Sequence, residues 1–472
     1  MPQVRDMDWG AGTRQAVAAA FLCGYAGAQV ACGWLAGRVG AHRLLGLGLA
    51  SSGLLALFTP ALACMHPCLL VALRVCQGAL QGVLHPCMNA LWSRWAPPLE
   101  RNRLMALALS GSYVGSMVAL PLSALVARYI GWPAIFYAFG LTGLLWFGAW
   151  WWVVKECPER DPSISVEELK YIQSAIGPQD KIYKAVLHPW RKILTSAPVW
   201  AVAIAHFAEA WGSHTLLKQL PSFLGDTLNY NEQQVGAMLS LPFFFMAVIL
   251  QGAGYLADCL QSKEVVTATK VRKLYVCGSF VVESLFVMTA GVLDTPAQVL
   301  ICLAFAISLQ PFGAAALSVN HLDLAPKHSA VLVGVSQTVG SLAGLIGPVV
   351  TGLLVQNRSA SEWRSVFRTA SAVYLVGAAV FGALGSAERQ AWAEDPPVVQ
   401  RENDCNRQAQ GRQQRTGAKK ATPPPPPPTP PPAVSPAGRQ GCGRTDHRKK
   451  DCNRSDHGCV VLDLRNLHTL TI

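Results

Sequence analysis

The chain has 472 residues, of which 51% are hydrophobic and only 14% are charged. Soluble globular proteins carry about 25% charged residues, so this composition excludes an ordinary water-soluble domain. The net charge of +12 raises the question of a nucleic-acid partner, but the placement of the basic residues predicts membrane orientation instead and no nucleic-acid partner.

Long stretches of the chain contain almost no charge, and each has about the 20 residues that a helix needs to cross hydrocarbon. Inside lipid the backbone must satisfy its own hydrogen bonds, so each stretch is predicted to be an α-helix. The fold class is therefore an all-α membrane protein. The eleven predicted spans are residues 16–36, 44–64, 68–91, 104–127, 132–154, 199–220, 236–257, 274–293, 297–319, 330–355 and 366–384.

The basic residues between these spans orient the protein. If the first span runs from outside to inside, the inner loops hold 17 Lys and Arg residues and the outer segments hold five, as the positive-inside rule requires. An odd number of spans with a cytosolic C-terminus leaves the N-terminus outside, yet residues 1–14 contain no signal peptide. We therefore expect one further helix upstream, missing from this chain.

The spans divide the chain into two halves. Residues 1–154 hold five spans, residues 155–198 form a charged cytosolic loop, and residues 199–386 hold six spans. With the expected first helix the layout is six plus six, typical of transporters that bind substrate between two related halves. In the loop, Ser165 and Glu168 have capping-box spacing, which predicts a short amphipathic helix that ends at Ile176.

Residues 387–472 form a different kind of segment. They include polyproline runs at 423–428 and 430–432, which cannot pack into a core and remain extended and solvated. The prediction is a disordered, Pro-rich cytosolic tail. An SH3-type partner for this tail is one interpretation, and a flexible tail without a partner is the alternative.

The predicted third span carries the leading candidate for substrate binding. Arg74 lies six residues into the span, and Gln77, Gln81 and His85 follow at +3, +7 and +11, on the same helical face. A polar stripe that begins with a cation suits an anion pathway through a helical bundle. The alternative is that Arg74 reaches the outer headgroups while the glutamines bridge neighbouring helices.

Two carboxylates inside spans are candidates for ion coupling. His206 and Glu209 are three residues apart, with Ser213 four further on, and Glu283 lies in the middle of another span. Either carboxylate could bind a coupling H⁺ or Na⁺, or could neutralise an arginine in a structural role. No other cofactor is expected.

The membrane region offers no site for other chemistry. It contains no nucleophile–base pair, phosphate-binding glycine loop or metal-ligand cluster, so we expect neither an enzyme nor a metal site. Three Gly-x3-Gly patterns predict close helix packing. They begin at Gly78, Gly111 and Gly340.

The first inner loop reads Gly33-Trp-Leu-Ala-Gly-Arg38-Val-Gly40-Ala-His-Arg43. This resembles the Gly-x3-Asp-Arg-x-Gly-x-Arg-Arg loop motif of the major facilitator superfamily, with Gly37 where the motif has Asp. The resemblance implies a major facilitator fold of two six-helix halves. The Gly37 departure weakens the charge latch that the motif forms in that superfamily.

Longer blocks are similar to the family of sodium–phosphate cotransporters, sialin and vesicular glutamate transporters, over about residues 8–395. The family also begins one span earlier, in keeping with the expected upstream helix. The blocks are Arg74-Val-Cys-Gln-Gly-Ala-Leu-Gln-Gly82, Trp92-Ser-Arg-Trp-Ala-Pro-Pro-Leu-Glu-Arg101, Gly131-Trp-Pro-Ala-Ile-Phe-Tyr137, Ala205-His-Phe207, Asn320-His-Leu-Asp-Leu-Ala-Pro326 and Glu362-Trp363.

The resemblance can be carried to four positions. Arg74 matches the family's substrate-pathway arginine. Gln81 stands where sialin-like and vesicular glutamate members carry a proton-linked Glu, so the resemblance gives no support for proton coupling there. Glu209 matches an Arg of vesicular glutamate transporters, and Ala18 replaces their His. These two departures argue against glutamate and leave phosphate, sialic acid or another organic anion.

The sequence thus predicts a secondary active transporter of small organic or inorganic anions that works by alternating access. The candidate substrate-binding residues are Arg74, Gln77, Gln81, His206 and Glu209. The expected location is the plasma membrane or a lysosomal or vesicular membrane, with lipid and a small anionic solute as partners. The alternative is a non-transporting receptor, scaffold or degenerate transporter that acts through its Pro-rich tail.

Overall fold

The computed structural model describes residues 10–176, 187–220, 222–224, 232–293 and 295–393. Within these residues every regular element is a helix. Ten of the described helices are long and apolar enough to cross a membrane. The predicted class, an all-α membrane protein, is confirmed.

The N-terminal half contains five spans. They are formed by α1 (Ala11–Val39), α2 (Ala41–Met65), α3 (Pro67–Gln81) with α4 (Leu84–Trp95), α5 (Arg101–Tyr129) and α6 (Trp132–Val153). All five predicted spans are present, and the helices extend a few residues beyond most of the predicted ends. The third span has a short irregularity at residues 82 and 83 between α3 and α4, where the backbone keeps right-handed helical angles.

The loop between the halves contains short helices. α7 (Val166–Ile176) begins at the predicted cap, where the backbone N–H of Glu168 donates a hydrogen bond of 3.1 Å to the hydroxyl of Ser165. α8 (Trp190–Leu194) follows shortly before the second half. The predicted helix in this loop is confirmed. The residues between the two helices, 177–186, lie outside the described part of the chain.

The C-terminal half begins with α9 (Ala197–Ser213), which continues as a π-helix, His214–Lys218. The predicted stretch 199–220 is therefore helical, with π rather than α geometry over its later part. The hydroxyl of Thr215 donates a 2.9 Å hydrogen bond to the carbonyl of Trp211, and such side-chain competition for a backbone carbonyl disturbs a regular helix. The remaining helices are α10 (Glu232–Ser262), α11 (Ala268–Ala290), α12 (Pro296–Leu324), α13 (Ser329–Leu354) and α14 (Ala360–Leu384).

The described halves meet mainly where α1 packs on α13 and α5 packs on α10, and α4 also contacts α13. A Cβ atom on Gly33 would lie 2.5 Å from the carbonyl oxygen of Ala330, so α1 and α13 meet there at backbone distance. In the other pair, the side-chain amide of Gln251 donates a 2.8 Å hydrogen bond to the hydroxyl of Ser110. These contacts lie toward the ends that carry the basic loops, which are the predicted cytosolic ends.

A polar network reinforces the same end of the bundle. The carboxylate of Asp258 on α10 accepts hydrogen bonds from the backbone N–H groups of Asn102 and Arg103, at the start of α5. Arg272 of α11 lies 2.9 Å from the carboxylate of Asp323 on α12. Because free N–H groups at a helix start attract anions, Asp258 holds α5 in place. The described conformation is thus closed toward the predicted cytosol.

The glycine patterns have different outcomes. A Cβ atom on Gly78 would collide with the carbonyl oxygen of Phe21, so the predicted close packing is confirmed there. Around Gly111 and Gly115, in contrast, no described neighbour would lie within 4 Å of an added Cβ. The packing prediction is wrong for this pair, because the surrounding face of α5 is exposed among the described residues.

The boundary predicted between the membrane unit and the tail also shifts. The backbone N–H of Ala387 donates to the hydroxyl of Thr269, and that of Gln390 donates to the carbonyl of Leu324. Residues 387–393 therefore pack on the helical unit rather than belonging to the tail. The rest of the predicted tail lies outside the described residues.

Candidate substrate pathway

Arg74 is half-buried on α3 and is held by its own half of the protein. Its Nη1 atom donates a 3.2 Å hydrogen bond to Oε1 of Gln77, which is itself buried. Its guanidinium carbon lies 5.4 Å from the centre of the Phe136 ring on α6. Hydrogen bonding and cation–π attraction thus fix the cation against protein rather than leaving it free.

The polar stripe predicted to follow Arg74 crosses a short irregularity at residues 82 and 83. The backbone keeps right-handed helical angles there, so one shared helical face for Arg74, Gln77, Gln81 and His85 stays a prediction. Gln81 turns toward α2, where its side-chain amide donates a 2.9 Å hydrogen bond to the hydroxyl of Ser52. Gln81 therefore braces two helices in this conformation, and Gln77 is the polar residue that contacts Arg74.

The second group of candidates lies on α9. Nδ1 of His206 is 3.2 Å from a carboxylate oxygen of Glu209, one helical turn away. The His206 ring stacks on His321 of α12 with centroids 5.3 Å apart. His321 in turn shares a 2.7 Å hydrogen bond with Ser336 of α13. One buried histidine pair therefore links three helices of the C-terminal half.

The two groups lie in opposite halves. Within the described part of the chain, no hydrogen bond or ion pair joins Arg74 or Gln77 to His206 or Glu209. Arg74 thus belongs to the N-terminal half and the histidine–carboxylate pair belongs to the C-terminal half.

Glu283 lies apart from both groups, buried in α11 with 1% of its surface exposed. Neither of its carboxylate oxygens is in hydrogen-bonding geometry with a described residue. The phenol of Tyr374 on α14 is close enough to interact with the carboxyl group electrostatically. Tyr374 also accepts a 3.2 Å hydrogen bond from the side-chain amide of Gln310 on α12.

The loop motif at residues 33–43 is held by Glu156, which lies outside the motif. Gly40 has φ +102°, a conformation that favours glycine, and its neighbour across the loop is the carboxylate of Glu156. That carboxylate accepts hydrogen bonds from the backbone N–H groups of Ala41 and His42 and pairs with Arg94. Glu156 therefore supplies a latch within the N-terminal half.

The remaining motif residues have separate surroundings. Gly33 allows the close contact between α1 and α13, the guanidinium of Arg38 lies 3.9 Å from the centre of the Trp34 ring, and Arg43 is exposed. Around Gly37, where the family motif has Asp, no described atom would lie within 4 Å of an added Cβ. The expected weakening of the latch at residue 37 stays a prediction.

A histidine pair lies near this loop, where the inter-half loop meets the start of α13. Nδ1 of His188 is 2.9 Å from Nδ1 of His328. Burial, and secondarily the nearby charge of Arg38, lower the pKa of His188 below its ordinary value. The neutral form of His188 therefore suits the packed state.

Residues 1–348 match the family model described as Major Facilitator Superfamily. The chain belongs to the major facilitator superfamily. It is 34% identical to vesicular glutamate transporter 1 of Bos taurus over 406 residues, which cover 85% of this chain and 72% of the relative. It is 33% identical to vesicular glutamate transporter 2 of Homo sapiens over 401 residues, which cover 84% and 69%.

The fold has a counterpart among solved structures of the superfamily. The proton:xylose symporter XylE bound to 6-bromo-6-deoxy-D-glucose matches 80% of this chain and 87% of its own, with a TM-score of 0.62 and 14% identity. At that identity the likeness concerns the fold alone. The predicted major facilitator fold is confirmed.

These findings settle the general class of this major facilitator member. It is a multi-pass protein of a vesicular or plasma membrane and a secondary transporter of anions, not an enzyme. Neither the described residues nor these relatives support the scaffold alternative. An SH3-type partner stays a prediction, because the polyproline runs lie outside the described residues.

Sequence reasoning missed several polar residues that complete these sites: Glu156, Gln310, His321 and Tyr374. Gln310 and His321 lie within or beside predicted spans, and a polar residue inside a span is a signal for a functional or bridging role. Glu156 and Tyr374 gave a weaker signal. A carboxylate just after a span and a tyrosine within one are both common.

Proposed function

We propose that this transporter carries a small anion of single net charge by alternating access, with Arg74 as the cation that receives it. The halves at residues 1–154 and 199–386 would move about the cargo, and the loop at 155–198 would connect them. Phosphate, sialic acid and related organic anions fit this class.

The half-buried guanidinium of Arg74 is the observation that carries the proposal. A guanidinium presents several N–H donors in a planar fork that matches carboxylate and phosphate groups. Gln77 occupies one donor through Nη1, which leaves further donors for a solute. A charge within a membrane span is costly, and its retention there is by default a sign of function.

The opposite half limits the charge of the cargo. Glu209 lies beside His206 on α9, so a second anionic group would meet a carboxylate rather than another cation. The relatives named above are vesicular glutamate transporters. By the resemblance drawn from the sequence, such transporters have Arg at the position that Glu209 occupies in this chain. We therefore expect phosphate or sialic acid to be preferred over glutamate, and all three belong in the test.

A coupling cation would reduce the cost of moving the anion. Glu209 and Glu283 are the carboxylates that could bind Na⁺ or H⁺ in the spanning region, and each lies in the C-terminal half. Burial of Glu283 with 1% exposure supports such a role, because a lone buried carboxylate is unfavourable unless a cation neutralises it.

The test is uptake of labelled phosphate, sialic acid and glutamate into proteoliposomes that contain the full chain. Arg74→Ala is expected to abolish uptake of the preferred anion, and Arg74→Lys is expected to retain a part of it. Arg128→Ala is the matched control, since Arg128 is an exposed arginine near the end of α5.

The outcome that would refute the proposal is equally clear. If Arg74→Ala transports at the rate of the unaltered protein while both are present at equal density, Arg74 is not the cargo site. If glutamate alone is taken up, the argument from Glu209 fails, but the role of Arg74 does not.

A further inference from the structure

Glu283 is an acidic residue in a place that water does not reach. It lies 15 residues from the start of α11 and seven from its end, or roughly 22 Å and 10 Å at 1.5 Å per residue. It is 1% exposed, and both carboxyl oxygens lack a hydrogen-bond partner among the described residues. A bare carboxylate is unfavourable there, whereas a neutral carboxylic acid is tolerated.

A chain of polar side chains leads from Glu283 toward the candidate substrate pathway. Tyr374 interacts with its carboxyl group, Gln310 donates 3.2 Å to the phenol oxygen of Tyr374, and Ser213 donates 3.3 Å to Oε1 of Gln310. Ser213 is four residues after Glu209, on the same face of α9. The chain thus ends beside the histidine–carboxylate pair.

Glycine makes room for this chain. The phenol oxygen of Tyr374 lies against Gly212, where an added Cβ atom would collide with it. Tyr374 accepts from Gln310, so its own hydroxyl hydrogen remains available for an acceptor. The carboxyl of Glu283 is an acceptor that interacts with this phenol. Tyr374 is therefore a positioning residue for that carboxyl.

Three titratable groups among the described residues interact with Glu283: Tyr374 of α14, Tyr113 of α5 and Glu209 of α9. Gln310 of α12, which contacts Tyr374, is polar and uncharged. None of these is a cation. Because Glu209 is also acidic, two ionised carboxylates in this interior would repel each other, which favours a proton on one of them.

The same surroundings argue against a hydrated or metal cation. Hard cations take about six oxygen ligands, but the hydroxyl groups near Glu283 already form hydrogen bonds with the protein. Ser284 and Ser371, beside Glu283 and Tyr374, donate to each other's backbone carbonyls. Within the described part of the chain, no group of three or more His, Cys, Asp and Glu residues could hold a metal ion. A proton requires one oxygen alone.

We infer that Glu283 is the site at which the transporter carries its coupling proton, held by Tyr374. In the described state, which is closed toward the predicted cytosol, the carboxyl is a neutral acid. When the bundle opens, the O–H bond breaks and the proton leaves for water, and the carboxylate later takes one proton from the other side. This inference rests on the proposed function and names its coupling ion.

Infrared spectroscopy of the full chain in liposomes tests the site directly. A protonated carboxylic acid has a C=O stretching band that a carboxylate lacks. At neutral pH the unaltered protein is expected to show such a band, and Glu283→Gln is expected to lose it. Glu362→Gln is the matched control, because Glu362 is a carboxylate at the exposed start of α14, and the band should persist.

Two further variants and an exchange of the salt complete the infrared experiment. Tyr374→Phe should shift the frequency of the C=O band. This variant tests the site if Glu283→Gln fails to fold. Absence of the band, its survival in Glu283→Gln, or its loss when Na⁺ replaces K⁺ would each overturn the inference. Arg74→Ala should keep the band while it loses anion uptake, so failure of the proposed function and failure of this proton site give different results.

Discussion

The ring of His206 stacks on that of His321 at an interplanar angle of 17°, and this pair fixes how α9 meets α12. Both residues are buried. Nδ1 of His206 lies beside Glu209, and His321 is tied to Ser336 of α13. A change at one of these residues therefore alters the geometry that a solute would meet on α9.

Replacement of His206 tests that geometry. We expect His206→Ala to lower anion uptake strongly, because Glu209 would lose its partner and His321 would lose the ring on which it stacks. His206→Asn keeps a polar group that can reach Glu209 and should retain more uptake. Proteoliposome uptake at equal protein density measures both. Equal uptake by His206→Ala and the unaltered protein would contradict a role for this pair.

The latch formed by Glu156 makes a prediction about stability. Glu156→Ala leaves Arg94 buried without its partner and frees the N–H groups of Ala41 and His42. Breaking a buried ion pair in this way is expected to cost ~3–5 kcal/mol, seen as a lower melting temperature in detergent. The double variant Glu156→Ala with Arg94→Met should recover part of the loss.

The matched control for the latch is the more accessible pair of Glu100 and Arg103, whose charged atoms lie 2.5 Å apart. Arg103 is 41% exposed in its side chain, and a solvent-accessible pair contributes less than ~1 kcal/mol. Glu100→Ala should therefore leave the melting temperature nearly unchanged. A loss as large as that of Glu156→Ala would contradict the distinction between the two pairs.

Gly33 and Gly37 form a natural pair for testing the contact between the halves. Gly33→Ala places a methyl group 2.5 Å from the carbonyl of Ala330, whereas Gly37→Ala would meet no described atom within 4 Å. We expect Gly33→Ala to weaken closure of the predicted cytosolic end and to slow transport, while Gly37→Ala does neither. Disulfide cross-linking between cysteines placed on α1 and α13 measures closure.

The pair of His188 and His328 predicts a pH dependence. The folded pKa of His188 is lowered by burial and by Arg38, so neutral His188 stabilises the packed loop. This stabilisation is present above the ordinary pKa of 6.5 and is lost as the pH falls from there through the lower folded pKa. The melting temperature should therefore decrease more on acidification in the unaltered protein than in His188→Gln.

His66→Asn serves as the control for that pH series. His66 is exposed and lies just before α3, at the opposite end of the bundle. Its replacement should leave the acid-dependent decrease intact. If His188→Gln loses as much stability on acidification as the unaltered protein, another group is responsible for the decrease.

Much of the fold could be predicted, because a membrane span is determined by the apolar residues within one short stretch of sequence. Runs of apolar residues locate the spans to within a few residues, and the cap at Ser165 is set by residues three apart. The π-helix after Ser213 could not be predicted, because apolar content is the same in an α-helix and a π-helix.

The candidate sites were harder to predict because they depend on distant partners. Arg74 stands out as a charge within an apolar run, and its contact with Gln77 follows from helical spacing. Glu156, in contrast, gains its role from Arg94, 62 residues away. Tyr374 gains its role from Gln310, 64 residues away. Helical periodicity says nothing about such pairs.

The π-helix at His214–Lys218 has a consequence for motion in the C-terminal half. A π turn holds about one residue more than an α turn, so its conversion to α geometry would displace one residue and rotate the adjoining Gln219 and Leu220 by about 100° about the helix axis. That adjustment needs no broken helix. The outer part of this span can therefore swivel about its own axis while Glu209 and His206, on the regular helix below, remain where they are.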